Sequence, residues 1–417
     1  MDKTDRKHVV ILGGGYTGLL CAILLSRKAR RTGAVITLVN PAERFSERLR
    51  SHQIAVGQEL ADCRIPAMLD GTGVRFVQGR AVAVDPAGRR VLVQGVKGNT
   101  EYDYDNLVYA LGSTADTSAV PGAEQHAWTL DDPRRAHEMA GRLAELAATG
   151  GNVVVCGAGL TGVEAAAEIA ESHPALRVTL VSREQPGALM GGKARAYLHR
   201  SLDRLGVAVR SGVEIAEVLP EKVRLAGGEL LAADLCLWTA GVRVAPLAAE
   251  SGIATDARGQ VLVDGALRSV SHPEVYAIGD AAAVRQPWGV LHGTCQSGMP
   301  TAEHAADTIA RELRGRPAEP FRFGYVHQPV CIGRRDAVIQ FTRADDTPRR
   351  AYLTGRLAVT YKNVVSGSPI PVYRISKRVA VSIALFRGGR ATRGATTAAP
   401  QLATPCPEGR GAASMIR

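Results

Sequence analysis

The chain has 417 residues, 46% hydrophobic and 22% charged, the balance of an ordinary folded protein of two or three domains. That composition excludes wholesale disorder, a collagen-like chain and a polytopic membrane protein, because no stretch approaches the ~20 consecutive apolar residues of a spanning helix. The net charge of +11 is unevenly placed: residues 316–417 hold 17 basic and 5 acidic residues, which suits either an anionic partner or a solvated arginine-rich face.

The opening residues, Met1 to His8, run directly into a strand, so no secretory signal is expected. His8–Leu12 is a fully apolar run with β-branched residues, as a central parallel strand requires. Gly13-Gly14-Gly15-Tyr16-Thr17-Gly18, a helix from Leu19 to Arg31 and a strand Ala34–Val39 complete a βαβ unit. Asp131-Asp132-Pro133 starts a helix that runs from Arg134 to Thr149 and stops at Gly150. The opening pattern then repeats: strand Asn152–Cys156, Gly157-Ala158-Gly159-Leu160-Thr161-Gly162, a helix through Ala170 and a strand Arg177–Val181. The two glycine motifs start 144 residues apart, too far for a solenoid and suited to two dinucleotide domains. Later, Met299-Pro300 opens a helix with Ala305, Ile309 and Leu313 on one face, and Ala337–Phe341 reads as a strand. From Gly388 onward the composition predicts a disordered tail.

Each glycine motif follows a strand and opens a helix, the context that gives the pattern a mechanism. Glycines permit the tight turn and let backbone N–H groups approach a pyrophosphate, whose charge the helix dipole offsets. At the end of the second strand an acidic residue ordinarily accepts from ribose hydroxyls. Here the first unit has Asn40, whose amide oxygen can accept, and the second has Ser182-Arg183-Glu184. Arg183 favours a 2′-phosphate and hence NADPH; Glu184 favours NADH. The seven cysteines form no close sequence pairs and the histidines no HExxH pattern, so a reduced, cytoplasmic protein without a metal site is expected.

Three further segments end apolar strands in small-residue turns: Tyr104–Ser113 through Ala110-Leu111-Gly112, Asp234–Val242 through Ala240-Gly241, and Val275–Asp280 through Gly279-Asp280. With the two glycine motifs in order, the sequence resembles the two-dinucleotide-fold flavoprotein reductases, and more narrowly the type II NADH dehydrogenases, over about residues 7–315. The resemblance implies an α/β fold of two Rossmann-like domains, the second inserted in the first. An FAD domain would span 1–115 and 250–315, an NAD(P)H domain 116–249 and a C-terminal α+β interface domain 316–387, followed by the tail 388–417.

By the same resemblance FAD would be held by Gly13, Gly15, Tyr16, Thr17, Gly18, Asn40, Ala81, Ala110, Gly112, Gly279 and Asp280. NADH or NADPH would be held by Gly157, Gly159, Thr161, Gly162, Glu164, Arg183 and Gly241. Glu164 and Glu168 lie four apart on one helix and share a face. The resemblance places Glu168 near the flavin–nicotinamide stack and Gln296 beside the isoalloxazine, as the catalytic candidates.

Two departures stand out. The first domain lacks the close cysteine pair of disulfide reductases, and Pro300-Thr301 stands where quinone-reducing members carry paired glutamines. Hydride would therefore pass from NAD(P)H to the flavin and on to a small-molecule acceptor. That acceptor is quinone-like by family, or a different organic compound handled by a soluble reductase. A third alternative, a basic flavoprotein binding nucleic acid, lacks an interleaved aromatic–basic pattern. On a helix, Ile375, Val379, Ile383 and Phe386 would align as an apolar face flanked by Arg374, Lys377, Arg378, Arg387, Arg390 and Arg393. Such a face suits an anionic membrane surface, the inner face of the cell membrane, or packing on the protein itself or a homodimer partner.

Overall fold

The computed structural model describes residues 6–379 and 386–398. Its first unit is a seven-stranded sheet in the order Val275–Ala277, Asn106–Tyr109, His8–Leu12, Val35–Asn40, Arg75–Asp85, Arg90–Gly95 and Gly98–Asp103. The first five strands are parallel, and the last two add an antiparallel edge. Parallel strands are covered on both faces, which is why Val9 to Leu12 are all buried. The helix Tyr16–Lys28 lies between this sheet and the helix Cys295–Glu312, so Gly18 through Leu25 are all buried. The two helices approach closely at Gly298, where an added Cβ would stand 2.9 Å from Thr17 Cγ2.

The second unit is a parallel five-stranded sheet, Ala208–Ser211, Arg177–Ser182, Asn152–Cys156, Leu235–Trp238 and Ala127–Trp128. The helix Leu160–Ser172 packs on it with Gly162 through Ala170 buried. Asp132 caps the helix Pro133–Thr149 by accepting from Arg134 N, and Gly150 ends it at φ +74°. The chain crosses between the units twice, and the two crossings, Ser113–Ala115 and Val242–Val244, pair with each other as an antiparallel ribbon.

The third unit is the antiparallel sheet His327–Cys331, Ala337–Thr342 and Pro348–Thr354, followed by the helices Gly355–Gly367 and Pro369–Ser376. The second of these helices returns to the first unit: Tyr373 is fully buried and donates to Tyr16 O at 3.0 Å.

Three expectations need correction. The helix read from Met299-Pro300 starts at Cys295, because Thr294 and Ser297 form a reciprocal cap and Pro300 sits within its second turn. The apolar face read from Ile375 to Phe386 is not one helix: the helix ends at Ser376, Ile383 lies outside the described residues, and Phe386 turns inward to stack on Phe323. Part of the expected tail is packed. Thr392 is fully buried, bonded to Arg322 Nε and Arg387 O, and Gly265 N donates to Ala398 O. Residues 399–417 lie outside the described residues.

The final glycine of each loop serves packing. A Cβ on Gly18 would stand 1.9 Å from Gly13 O, and one on Gly162 1.8 Å from Gly157 O. Gly18→Ala and Gly162→Ala should each lose about 1–3 kcal/mol of stability in denaturant unfolding. Gly15→Ala, with nothing within 4 Å, should unfold like the parent protein.

Candidate functional site

The two glycine loops open on one cleft of about 1820 Å³, larger than the roughly 300–1,000 Å³ of an ordinary single-ligand pocket. Gly15 and Gly159 are the N-caps of their helices, and no heavy atom lies within 4 Å of where a Cβ would be on either. Their backbone is therefore bare toward the cleft. A third helix N-terminus, Thr294–Gln296, lines the same cleft. Three positive helix ends facing one space make it favourable for anionic phosphate groups.

Of the residues singled out in the first unit, Gly13, Gly15, Tyr16, Thr17, Asn40, Ala81, Ala110, Gly112 and Asp280 line the cleft. In the second unit Gly157, Gly159, Thr161, Glu164, Arg183 and Gly241 line it. Asn40 Oδ1 already accepts from Gly14 N at 2.8 Å, which pins the first loop to the end of its strand. Asp280 Oδ2 accepts from Ser113 Oγ at 2.7 Å. Arg183 is exposed at the lip of the second loop. Gly279 lines a small neighbouring cavity, and its N–H donates to Thr301 Oγ1 at 3.0 Å. Thr301 therefore locks the Cys295 helix to the Gly279-Asp280 turn.

Gly18, Gly162 and Glu168 lie outside the lining. The two glycines face their own loops, as described above. Glu168 is 1% exposed, 3.1 Å from Arg334 Nε, and its Oε1 accepts from Gln58 at 2.6 Å. Burial lifts its carboxyl above the usual range despite Arg334. It braces the third unit rather than facing the cleft, because its side of the helix meets the loop after Cys331. Gln296 does line the cleft, but its amide is committed: the oxygen accepts from Val326 N at 2.8 Å and the nitrogen donates to His327 O at 2.9 Å.

Glu164 is the centre of a buried cluster drawn from all three units. Its Oε1 lies 2.7 Å from Lys362 Nζ and accepts from Cys331 N at 3.0 Å, while Oε2 lies 4.0 Å from His52 Nδ1. Glu164, Lys362 and His52 are 6%, 7% and 4% exposed. Burial alone would raise the Glu164 carboxyl, but Lys362 first, then His52, hold it below its usual range. Burial opposes the Lys362 charge, yet Glu164 raises the ammonium above the usual lysine range. Burial lowers His52 below its usual range, against the opposing pull of Glu164.

Lys362 and His52 escaped the sequence reading. For Lys362 a local signal existed: it follows buried Ala358 by one helical turn, which puts a lysine on the inward stripe. His52 carries no such signal. The tertiary fold also brings Cys156 and Cys236, 80 residues apart, to 3.6 Å between sulfurs beneath the second loop.

Residues 7–308 match the family model described as pyridine nucleotide-disulphide oxidoreductase. The chain is 33% identical to an NADH dehydrogenase-like protein of Mycobacterium tuberculosis, covering 79% of this chain and 87% of that one. To a type II NADH:quinone oxidoreductase of Staphylococcus epidermidis it is 29% identical, covering 80% of this chain and 89% of that one. The structure of NDH2 from Plasmodium falciparum in complex with NADH shares the fold, with a TM-score of 0.75 at 15% identity over 89% of this chain and 98% of that chain.

Removing one member of a buried ion pair leaves the other charge uncompensated. Lys362→Met should lose about 3–5 kcal/mol in denaturant unfolding near neutral pH, and adding Glu164→Gln should recover much of it. The signs of the two shifts set the pH window. The depressed Glu164 contributes above the ordinary carboxylate range and fades as pH falls through its lowered value. The raised Lys362 contributes below the ordinary lysine range and fades as pH rises through its raised value. The gap between parent and Lys362→Met should therefore be widest between those limits and shrink in acid.

Proposed function

The chain belongs to the pyridine nucleotide-disulphide oxidoreductase family, and from that membership we propose that it is a type II NAD(P)H dehydrogenase delivering electrons to a quinone-like acceptor at a lipid surface. The observation that carries this reading is the single cleft onto which both bare glycine loops open. It is an oxidoreductase that uses FAD and NAD(P)H. When bound, FAD would supply the two-electron redox chemistry between NAD(P)H and the acceptor.

The first loop, with Asn40, Ala81, Ala110, Gly112 and Asp280, has the composition of an FAD cradle: bare backbone for a pyrophosphate and side-chain oxygens for hydroxyls. The second loop, with Arg183 and Gly241, offers the same to a nicotinamide nucleotide. Glu164, held by Lys362, is a fixed carboxylate on the wall of that half. Gln296 holds the third helix end in place through Val326 and His327.

The acceptor half is argued from the third unit. Val364, Val365, Pro369 and Val372 line the cleft, giving it an apolar mouth. Leu357, Val364, Ile375 and Val379 are 74%, 67%, 51% and 58% exposed, with Arg356, Arg374 and Arg378 exposed among them. Apolar side chains fringed by cations suit the interface of an anionic bilayer, and lipid-dissolved acceptor would reach the mouth directly. No described helix is long and apolar enough to cross a membrane. Pro300 lines the cleft in place of a glutamine and Thr301 is committed to Gly279. These two residues favour a second reading, a non-quinone organic acceptor.

The purified protein should be yellow and should bleach anaerobically with NADH or NADPH. Gly15→Arg should fold without flavin, because the new side chain occupies the space left for pyrophosphate. Fast reoxidation by a soluble quinone supports the first acceptor; reoxidation by other carbonyl acceptors alone supports the second. A fully flavinated Gly15→Arg protein would overturn the FAD assignment. The protein should also float with anionic liposomes at low salt, release as salt rises, and lose binding in the Leu357→Asp/Ile375→Asp double variant. Failure of the parent protein to float would remove the lipid surface from the reading.

A further inference from the structure

A second polar cluster in the cleft has no part in the cofactor cradle. Asp346 sits in the turn between the strands Ala337–Thr342 and Pro348–Thr354, at φ +63°, a left-handed backbone that non-glycine residues avoid. It lines the cleft and is 9% exposed. Its Oδ2 lies 3.2 Å from His292 Nε2 and accepts from Gln328 Nε2 at 2.9 Å. Its Oδ1 is buried with no hydrogen-bond partner among the described residues, which marks a place where something else should bond.

His292 also lines the cleft. It belongs to the loop before the Cys295 helix and is held on several sides. Its ring stacks on Tyr325 at 4.4 Å and 10°. Its N–H donates to Tyr325 Oη, and its carbonyl accepts from Tyr325 Oη and Ser297 Oγ. Yet the side chain is 48% exposed. An imidazole fixed by a carboxylate, open to solvent on one side and to the cleft on the other, has the construction of a proton relay.

We propose that His292, positioned by Asp346, delivers to the acceptor the proton that its reduction draws from solvent. The inference rests on the reading that an organic acceptor is reduced in this cleft. The balance requires such a proton: NAD(P)H + H⁺ + acceptor gives NAD(P)⁺ + reduced acceptor carrying two hydrogens. One hydrogen originates in the hydride and the other in solvent. At the acceptor oxygen an O–H bond forms as an N–H bond of the imidazolium breaks, and His292 regains its proton from water while the Asp346 carboxylate compensates its charge.

The neighbouring titratable groups are poor substitutes. Burial lifts the Tyr325 hydroxyl far above its usual range, with Asp346 and Asp280 raising it further. Burial, then Lys362, lowers His327 to about 4 against the opposing pull of Asp346, so it is neutral near pH 7. Asp280 faces the pair from beside Gly293, already accepting from Ser113. His52, a third imidazole on the cleft, has a side chain only 5% exposed and is cut off from direct exchange with water.

Stopped-flow measurements on the flavin-loaded enzyme separate the two half-reactions. In His292→Ala, reduction by NAD(P)H should persist while reoxidation by a soluble quinone falls on the order of a hundredfold, with free imidazole restoring much of the loss. Asp346→Asn should slow reoxidation less, without imidazole rescue. The parent enzyme should show a solvent deuterium effect on reoxidation that persists in imidazole-rescued His292→Ala, where buffer imidazolium becomes the donor. His292→Gln repeats the measurement if the alanine variant loses flavin. Reoxidation at the parent rate in the histidine variants, or a loss that imidazole leaves untouched in flavin-loaded His292→Ala, would overturn the proposal. If NAD(P)H fails to reduce the parent enzyme, the broader functional reading fails instead.

Discussion

The buried Glu164–Lys362 ion pair is the contact on which the geometry of the cleft depends. Taking two charges out of water is tolerated only with close geometry and further hydrogen bonds, and here Cys331 N and Pro329 O supply them. The pair therefore holds three elements in fixed relation: the helix Leu160–Ser172, the strand His327–Cys331 and the helix Gly355–Gly367. The first carries Gly159 at its N-terminus into the cleft; the last carries Val364 and Val365 to the mouth. Movement at one end of the cleft must be felt at the other. One turn along the same helix, Glu168 and Glu171 meet Arg334 and extend the same seam.

Polarity is graded along the cleft. Helix N-termini converge at its floor, where phosphate charge is best compensated. Apolar side chains of the third unit line its mouth, and arginines stand outside them. The cationic excess of the C-terminal quarter is only partly a surface property. Lys362 is buried against Glu164, Arg334 reaches Glu168, and Arg322 and Arg349 bond to neighbouring chain segments. A count of charges could not separate buried Lys362 and these bonded arginines from Arg356, Arg374 and Arg378.

How much was legible depended on how local each feature is. The glycine loops were legible because strand, turn and helix sit within a few residues, and close backbone approach admits only glycine at positions such as Gly13, where a Cβ would stand 2.4 Å from Ala110 O. The start of the Cys295 helix was not, because its cap pairs Thr294 with Ser297 instead of the usual glutamate or glutamine, and Pro300 looked like a first helical residue. The apolar stripe near the C-terminus was visible, but periodicity does not say what covers it. Phe386 packs against the protein's own core, while Ile375 and Val379 stayed outside.

The sequence by itself determined the α/β class, the doubled dinucleotide fold and the family, since these rest on short-range patterns of apolar strands and glycine turns. Only the tertiary structure decided which polar groups face the cleft. Glu164 meets Lys362 across 198 residues of chain and His52 across 112; Asp346 meets His292 across 54. Glu164 and Glu168 share one helix face by spacing alone, yet one lines the cleft and the other is sealed behind Arg334. The physical reason is that burial and pairing depend on which distant elements pack together, and no local pattern of residues records that.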